Sequence, residues 1–210
     1  MKVALYGATG KSGSRILKEL ASRGHQVIAI VRDPSKLTQT GPGVQVKQDD
    51  LSDPKKIAAA VDGAEAVVSA YAPPQNDVRE IVGVTQRQVE ALGQKPKARL
   101  IVVGGAGGLN VAPGIMLVDS PYFPEPYQPI ARAHVEAFNV LRASKIDWTY
   151  LAPAAYFEPG ERTGKFRLGK DELIANAQQE SRISMEDYAV ALVDELDKPG
   201  HRRQRFSVGY

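Results

Sequence analysis

Gly7-Ala8-Thr9-Gly10-Lys11-Ser12-Gly13 stands between a short apolar run and an amphipathic stretch, and it can do one kind of chemistry well. A glycine turn that opens a helix presents free backbone N–H groups and the positive end of a helix dipole, which suits a diphosphate. The three glycines serve different ends. Gly7 makes the tight turn, Gly10 lets backbone approach phosphate, and Gly13 lets helix and strand pack closely. The spacing is Gly-x-x-Gly-x-x-Gly, which departs from the commoner Gly-x-Gly-x-x-Gly. A nucleoside triphosphate loop ending in Gly10-Lys11-Ser12 would need a glycine where Leu5 stands, so that reading fails. The next candidate is Val31-Arg32-Asp33-Pro34-Ser35-Lys36. An arginine at the end of the second strand suits an adenosine 2′-phosphate, whereas an acidic residue there suits a free ribose. Arg32 offers a permanently charged fork and Lys36 a second charge, which favours NADP. Asp33 keeps NAD open.

These residues need a scaffold, and the alternation of short apolar runs with amphipathic ones supplies it. Lys2–Tyr6, Gln26–Val31, Val44–Gln48, Ala66–Ala70, Arg99–Val103 and Trp148–Leu151 read as strands. Between them, helices are expected over Ser14–Arg23, from Pro54 (capped by Asp53) to Val61, over Asn76–Leu92 and over Pro129–Ser144. Ser184-Met185-Glu186-Asp187-Tyr188-Ala189 opens a last helix, and a terminal strand follows the basic turn at 201–205. The pattern predicts a Rossmann-type, doubly wound parallel sheet in three α/β/α layers, with a small loop-rich substrate side. Two stretches rich in glycine, proline or aromatic residues, Gly104–Pro126 and Ala154–Gly169, leave strand ends and are expected to form that substrate side.

At 210 residues the chain is expected to form a single domain, 1–210. Its formal charge is +3 with dispersed basic residues, and the cluster His201-Arg202-Arg203-Gln204-Arg205 reads as a solvated turn, so no nucleic-acid partner is expected. Without cysteine there is no thiolate, and three isolated histidines give no ligand spacing, so no metal is expected. No apolar run reaches spanning length, so the chain is expected to be cytoplasmic without a membrane partner. A homodimer stays open.

Together, Gly7 to Gly13, Val31-Arg32-Asp33, Asp49-Asp50-Leu51, Val103 to Gly107 and Asp147-Trp148-Thr149 resemble the atypical short-chain dehydrogenase/reductases. The chain is most similar to their NmrA-like and NAD(P)H-flavin reductase branch, to which biliverdin reductase B belongs. The resemblance implies that Thr9, Gly10, Lys11 and Ser12 meet the diphosphate and Arg32 the 2′-phosphate. It places Asp50 and Leu51 beside the adenine, and Ala70, Tyr71 and Ala72 along the nicotinamide ribose. Gly104 and Gly105 would lie beneath the nicotinamide, with Pro153 at its edge.

The departures narrow the chemistry. No tyrosine has a lysine at the fourth position after it, so the Tyr-x-x-x-Lys apparatus of alcohol-oxidising relatives is missing. Ala106 replaces a serine and Ala155 one of two pocket histidines of the biliverdin reductase B-like proteins, which argues against biliverdin as substrate. The remaining histidine matches His134. By its spacing with Ile130, Ala137, Phe138 and Leu141 it also reads as a core residue on an apolar helix stripe. His134 and the loop-borne Tyr127 are the catalytic candidates, with Tyr156 a further stacking candidate. So sparse a set of acid–base groups suits hydride transfer to a small planar substrate such as a flavin or quinone, where the cofactor carries the chemistry. Two other readings stand beside it: a dinucleotide-binding redox sensor without turnover, and an epimerase or dehydratase.

Overall fold

In the computed structural model, residues 1–38, 41–94 and 98–210 are described. Among these residues there are twelve strands: β1 Lys2–Tyr6, β2 Gln26–Val31, β3 Val44–Gln48, β4 Ala66–Ser69, β5 Arg99–Val103, β6 Asn110–Ala112, β7 Ile115–Met116, β8 Trp148–Pro153, β9 Tyr156–Glu158, β10 Arg167–Gly169, β11 Arg182–Ser184 and β12 Gln204–Gly209. Five helices accompany them: α1 Lys11–Ser22, α2 Pro54–Ala60, α3 Glu80–Gly93, α4 Gln128–Ala143 and α5 Met185–Asp197.

Eight strands form one sheet in the order β10-β12-β8-β5-β4-β1-β2-β3. From β1 the chain moves outward to β2 and β3, then returns to the other side of β1 to lay down β4. That reversal is the switch point at which open α/β sheets bind ligands. Every pairing but one is parallel, so the ends of β1, β2, β3, β4, β5, β8 and β12 share one edge. The exception is β10, an edge strand that pairs antiparallel with β12; the rest is the doubly wound parallel sheet expected.

Alternate residues of each central strand feed two separate cores. Val3 and Leu5 pack with Ile16, Leu17 and Leu20 of α1 and with Tyr188 and Leu192 of α5. Ala4, Tyr6, Ile28 and Ile30 pack with α2, α3 and α4 through Ile57, Leu92, Phe138 and Leu141. Helices therefore cover both faces, which is why the strands read as unbroken apolar runs rather than alternating ones.

The expected bounds of β1, β2, β3 and β5 coincide with the structure, as does the Asp53 cap, which accepts from the Lys55 N–H at 2.8 Å. Three bounds move. Helix α1 starts at Lys11, before the expected Ser14, because Gly10 already caps it in extended conformation. Helix α3 starts at Glu80, not Asn76; Pro74 and Asp77 spend the intervening residues on turns. Strand β8 continues to Pro153, paired with Val208.

The two stretches expected as loops are not structureless. Gly104–Pro126 holds the β6–β7 hairpin, whose turn uses Gly114 at φ +75°. Ala154–Gly169 holds β9, which pairs with the distant β11, and β10.

Candidate active site

The β1–α1 turn is built to bring backbone, not side chains, to the sheet edge. Gly7 has φ +79°, and a Cβ there would run into the Ala70 carbonyl oxygen of the neighbouring strand end. A Cβ on Gly13 would run into the Gly7 carbonyl oxygen. These two glycines thus let α1 dock beside β1 and β4. Gly10 meets only the Gly7 oxygen at 3.2 Å and is otherwise open on its outer side. The first helical bond beyond the turn runs from the Ser14 N–H to the Gly10 oxygen at 2.9 Å. The N–H groups of Thr9, Lys11, Ser12 and Gly13 consequently donate to no described residue. No acidic side chain occupies the first turn of α1, so its positive pole is uncompensated. This cradle fits the diphosphate of a dinucleotide.

At the ends of β2 and β3 the groups differ in character. Arg32 is exposed, and its guanidinium makes no hydrogen bond or ion pair with any described residue, while its carbonyl accepts from the Gln48 amide at 2.9 Å. Asp33 turns back on its own backbone, accepting from the Ser35 N–H at 3.1 Å and the Ser35 hydroxyl at 2.7 Å. These bonds hold its carboxyl below the usual range. They also occupy the acid that would otherwise compete for a ribose. Lys36 is exposed, 4.0 Å from Asp33. Asp50 is exposed and accepts from the Ser52 hydroxyl at 2.6 Å. Leu51 is 4% exposed and packs its side chain in the α2–α4 core. Its backbone sits at φ +63°, an uncommon position for a branched residue, with its carbonyl held by Arg87 Nε at 2.6 Å.

Across the switch point, Ala70 is buried, Tyr71 half-buried against Ile81, Ala133 and Ala137, and Ala72 exposed. Burial pushes the Tyr71 hydroxyl up. Pro153 is buried within β8. At the end of β5, Gly104 and Gly105 lie over two side chains. A Cβ on Gly104 would stand 2.6 Å from Tyr150 Cζ, and one on Gly105 would stand 3.0 Å from His134 Cγ. The Gly105 N–H donates to the Tyr150 hydroxyl at 2.9 Å, and that hydroxyl lies 3.3 Å from His134 Nδ1. Burial pushes His134 down to about 4 and Tyr150 up to about 12, so both are neutral near pH 7. His134 is half-buried. It is neither a wholly enclosed core residue nor an imidazolium.

Tyr127 stands just before α4, 63% exposed, with no side-chain hydrogen bond to a described residue. It shares no contact with His134 among those the structure shows. Tyr156 is also exposed, with the Arg182 guanidinium 5.7 Å from its ring centroid. Its segment is tied down. Arg162 grips the buried Glu19 of α1 through two bonds of 2.8 Å each, and Glu186 of α5 accepts from the Gly160 N–H at 2.7 Å. The fully buried Asp187 accepts from Thr163, Gly164 and Tyr210. Tyr150 is the site residue that sequence reasoning missed. Its local signal is that of an apolar strand; the glycine pair 104–105, which leaves room for two rings, was the only pointer.

A glycine cradle at the switch point, a free arginine at the end of β2 and a glycine floor at the end of β5 define a dinucleotide-binding Rossmann protein. The family model described as NAD(P)H-binding matches residues 7–199, and the chain belongs to that family. The uncharacterized protein YwnB of Bacillus subtilis is 41% identical over 99% of this chain and 98% of its own. An NAD(P)H azoreductase of Xenophilus azovorans is 26% identical over 98% of this chain and 67% of its own. Among solved structures, one from Burkholderia pseudomallei, described as a candidate exported protein, is 46% identical with a TM-score of 0.91 and covers 100% of both chains. Another, from Streptococcus pneumoniae and described as a candidate NADH-flavin reductase, is 32% identical with a TM-score of 0.90, over 100% of this chain and 99% of its own. Among the described residues, no helix is long and apolar enough to cross a membrane.

Proposed function

We propose that this chain is an NAD(P)H-dependent reductase that prefers NADP(H) and passes hydride to a small planar acceptor such as a flavin or quinone. The observation that carries the reading is the pairing of a bare backbone cradle at β1–α1 with a neutral histidine behind the glycine floor of β5. The flavin reductase and azoreductase descriptions of two relatives point the same way, since both name hydride acceptance by flat conjugated groups.

When bound, the reduced nicotinamide supplies the hydride. The chain's own residues bind and orient. The N–H groups of Thr9, Lys11, Ser12 and Gly13 would hold the diphosphate, with Gly7 shaping the turn and Gly10 leaving room for the approach. Arg32 and Lys36 would hold the 2′-phosphate, and Asp50 with the Leu51 backbone would border the adenine. Ala70 to Ala72, Gly104, Gly105 and Pro153 would wall the nicotinamide half. Holding two flat rings in contact in a partly dry cleft lowers the barrier mainly through orientation. Tyr127, exposed before α4, would cover the outer face of the acceptor.

The test follows oxidation of NADPH by absorbance with FMN, FAD, riboflavin and small quinones, after nucleotide binding has been measured by titration. Saturable turnover supports the reductase. Tight NADPH binding without turnover would replace it with the dinucleotide sensor.

A further inference from the structure

Every hydrogen of the Tyr150–His134 pair can be accounted for. The Tyr150 side chain is 2% exposed, enclosed by Phe138 (ring centroids 5.1 Å apart), Gly104 and the β8 backbone. Its oxygen receives the Gly105 N–H at 2.9 Å. Its own proton must also go somewhere, because a buried hydroxyl without an acceptor is costly. Among the described residues, the one acceptor within reach is His134 Nδ1, at 3.3 Å. A neutral imidazole that accepts at Nδ1 carries its hydrogen on Nε2. Turning the ring over would set a carbon against the phenol and forfeit this bond. Nε2 itself bonds to no described residue, yet it is absent from the buried polar atoms that lack a partner, so it keeps some accessible surface, on a half-buried ring that lies against Gly105.

We propose that Tyr150 is a positioning residue that locks His134 in the Nε2–H form, so that the site offers a neutral hydrogen-bond donor to a lone pair on the hydride acceptor. This rests on the reductase reading for its second half only. The acceptor class it selects carries a carbonyl oxygen or an unprotonated ring nitrogen close to the atom that takes hydride, as quinones and oxidised flavins do. Cationic dyes without such a lone pair gain nothing from it. The low proton affinity of His134 agrees with a donor that does not titrate near neutral pH. The accompanying proton then comes from water rather than from an imidazolium.

Two independent readouts test this. In 15N-labelled protein, two-bond ring correlations distinguish a protonated from a bare imidazole nitrogen directly. The His134 signals, identified by their loss in His134→Ala, are expected to show a bare Nδ1 and a protonated Nε2. In Tyr150→Phe they are expected to shift toward the mixed tautomers of free histidine. A protonated Nδ1 in the unaltered protein overturns the proposal, and this decides the matter even where Tyr150→Phe does not fold. Unchanged ring signals in a folded Tyr150→Phe overturn it too. The second readout is turnover with a quinone. His134→Gln, which keeps a neutral donor, is expected to stay within about threefold of the unaltered kcat, whereas His134→Ala loses about tenfold at constant KM for NADPH. Equal losses in both variants overturn the donor role. Absence of turnover in the unaltered protein removes the reductase reading and leaves the NMR result standing alone.

Discussion

The two halves of the ligand edge are made of different material. From β1 to β3, the edge offers backbone N–H groups and one unpaired arginine, and the glycines are needed because the carbonyl oxygens of Gly7 and of Ala70, at the neighbouring strand end, stand where side chains would go. From β5 to β12, the edge is made of side chains that reach across the fold: Tyr150 to His134, and the segment 158–164 to α1 and α5. The first half admits one ligand chemistry, a diphosphate on a helix end, and almost no variation. In the proposed reductase, the second half would be a framework on which the acceptor pocket can change residue by residue. A family that shares a cofactor and differs in acceptor would be built this way.

The largest effect is expected where the first half has no slack. Gly13→Ala drives a methyl into the Gly7 carbonyl, and because both partners are backbone the variant should lose at least about 3 kcal/mol in chemical denaturation. A loss below about 1 kcal/mol would mean that the helix can slide away and that the cradle is not rigid. Arg32→Ala removes a charge-assisted contact without disturbing packing. It should weaken NADPH by about tenfold to a hundredfold and NADH by less than about threefold in titrations. Equal weakening would dissolve the 2′-phosphate assignment.

In the second half, pH separates the groups. His134 sits at about 4 in the folded protein, below its ordinary 6.5, so between those values the unfolded chain binds a proton that the folded chain refuses. Its contribution is therefore present above pH 6.5 and is lost as pH falls toward 4. Denaturation of the unaltered protein against His134→Gln across that window should show a narrowing difference, and a constant difference would place His134 in water. The smallest effect concerns the tied segment. Glu19→Gln weakens the grip on Arg162 and should cost about 1 kcal/mol while speeding proteolytic cleavage between 158 and 166. Unchanged cleavage would show that Glu186 and Asp187 hold the segment without Glu19.

The difference between the halves also explains what the sequence disclosed. The cradle is local: Gly7, Gly10 and Gly13 act within one turn, and their roles follow from spacing alone. The bounds of β1 and β2 follow from apolar runs cut by glycine and arginine. The His134–Tyr150 bond joins a helix to a strand that face each other only after β8 has inserted beside β5, and neither residue carries a local sign of the other. Leu51 shows the same limit. Its position after two aspartates suggests a ligand-facing residue, but its left-handed backbone turns the side chain into the core. The pairing of β9 with β11, and of β10 with β12, rests on partners far along the chain, so local pattern alone leaves both segments as loop.

Strand β10 has one more consequence, for the life of the protein in a crowded solution. Without it, β12 would end the sheet, and the N–H and C=O groups of alternate residues that point away from β8 would be unpaired along a strand that buries Phe206 and Val208. Such a border invites strands from other molecules. β10 covers Ser207 to Gly209 with three residues and then turns away at Lys170-Asp171, leaving a shorter border than β12 would, while Arg167 donates to the Tyr210 carbonyl. The segment expected on the substrate side thereby also shortens the sheet's open border, and in the proposed reductase variation of an acceptor pocket through it would be bounded by the need to keep β10 paired.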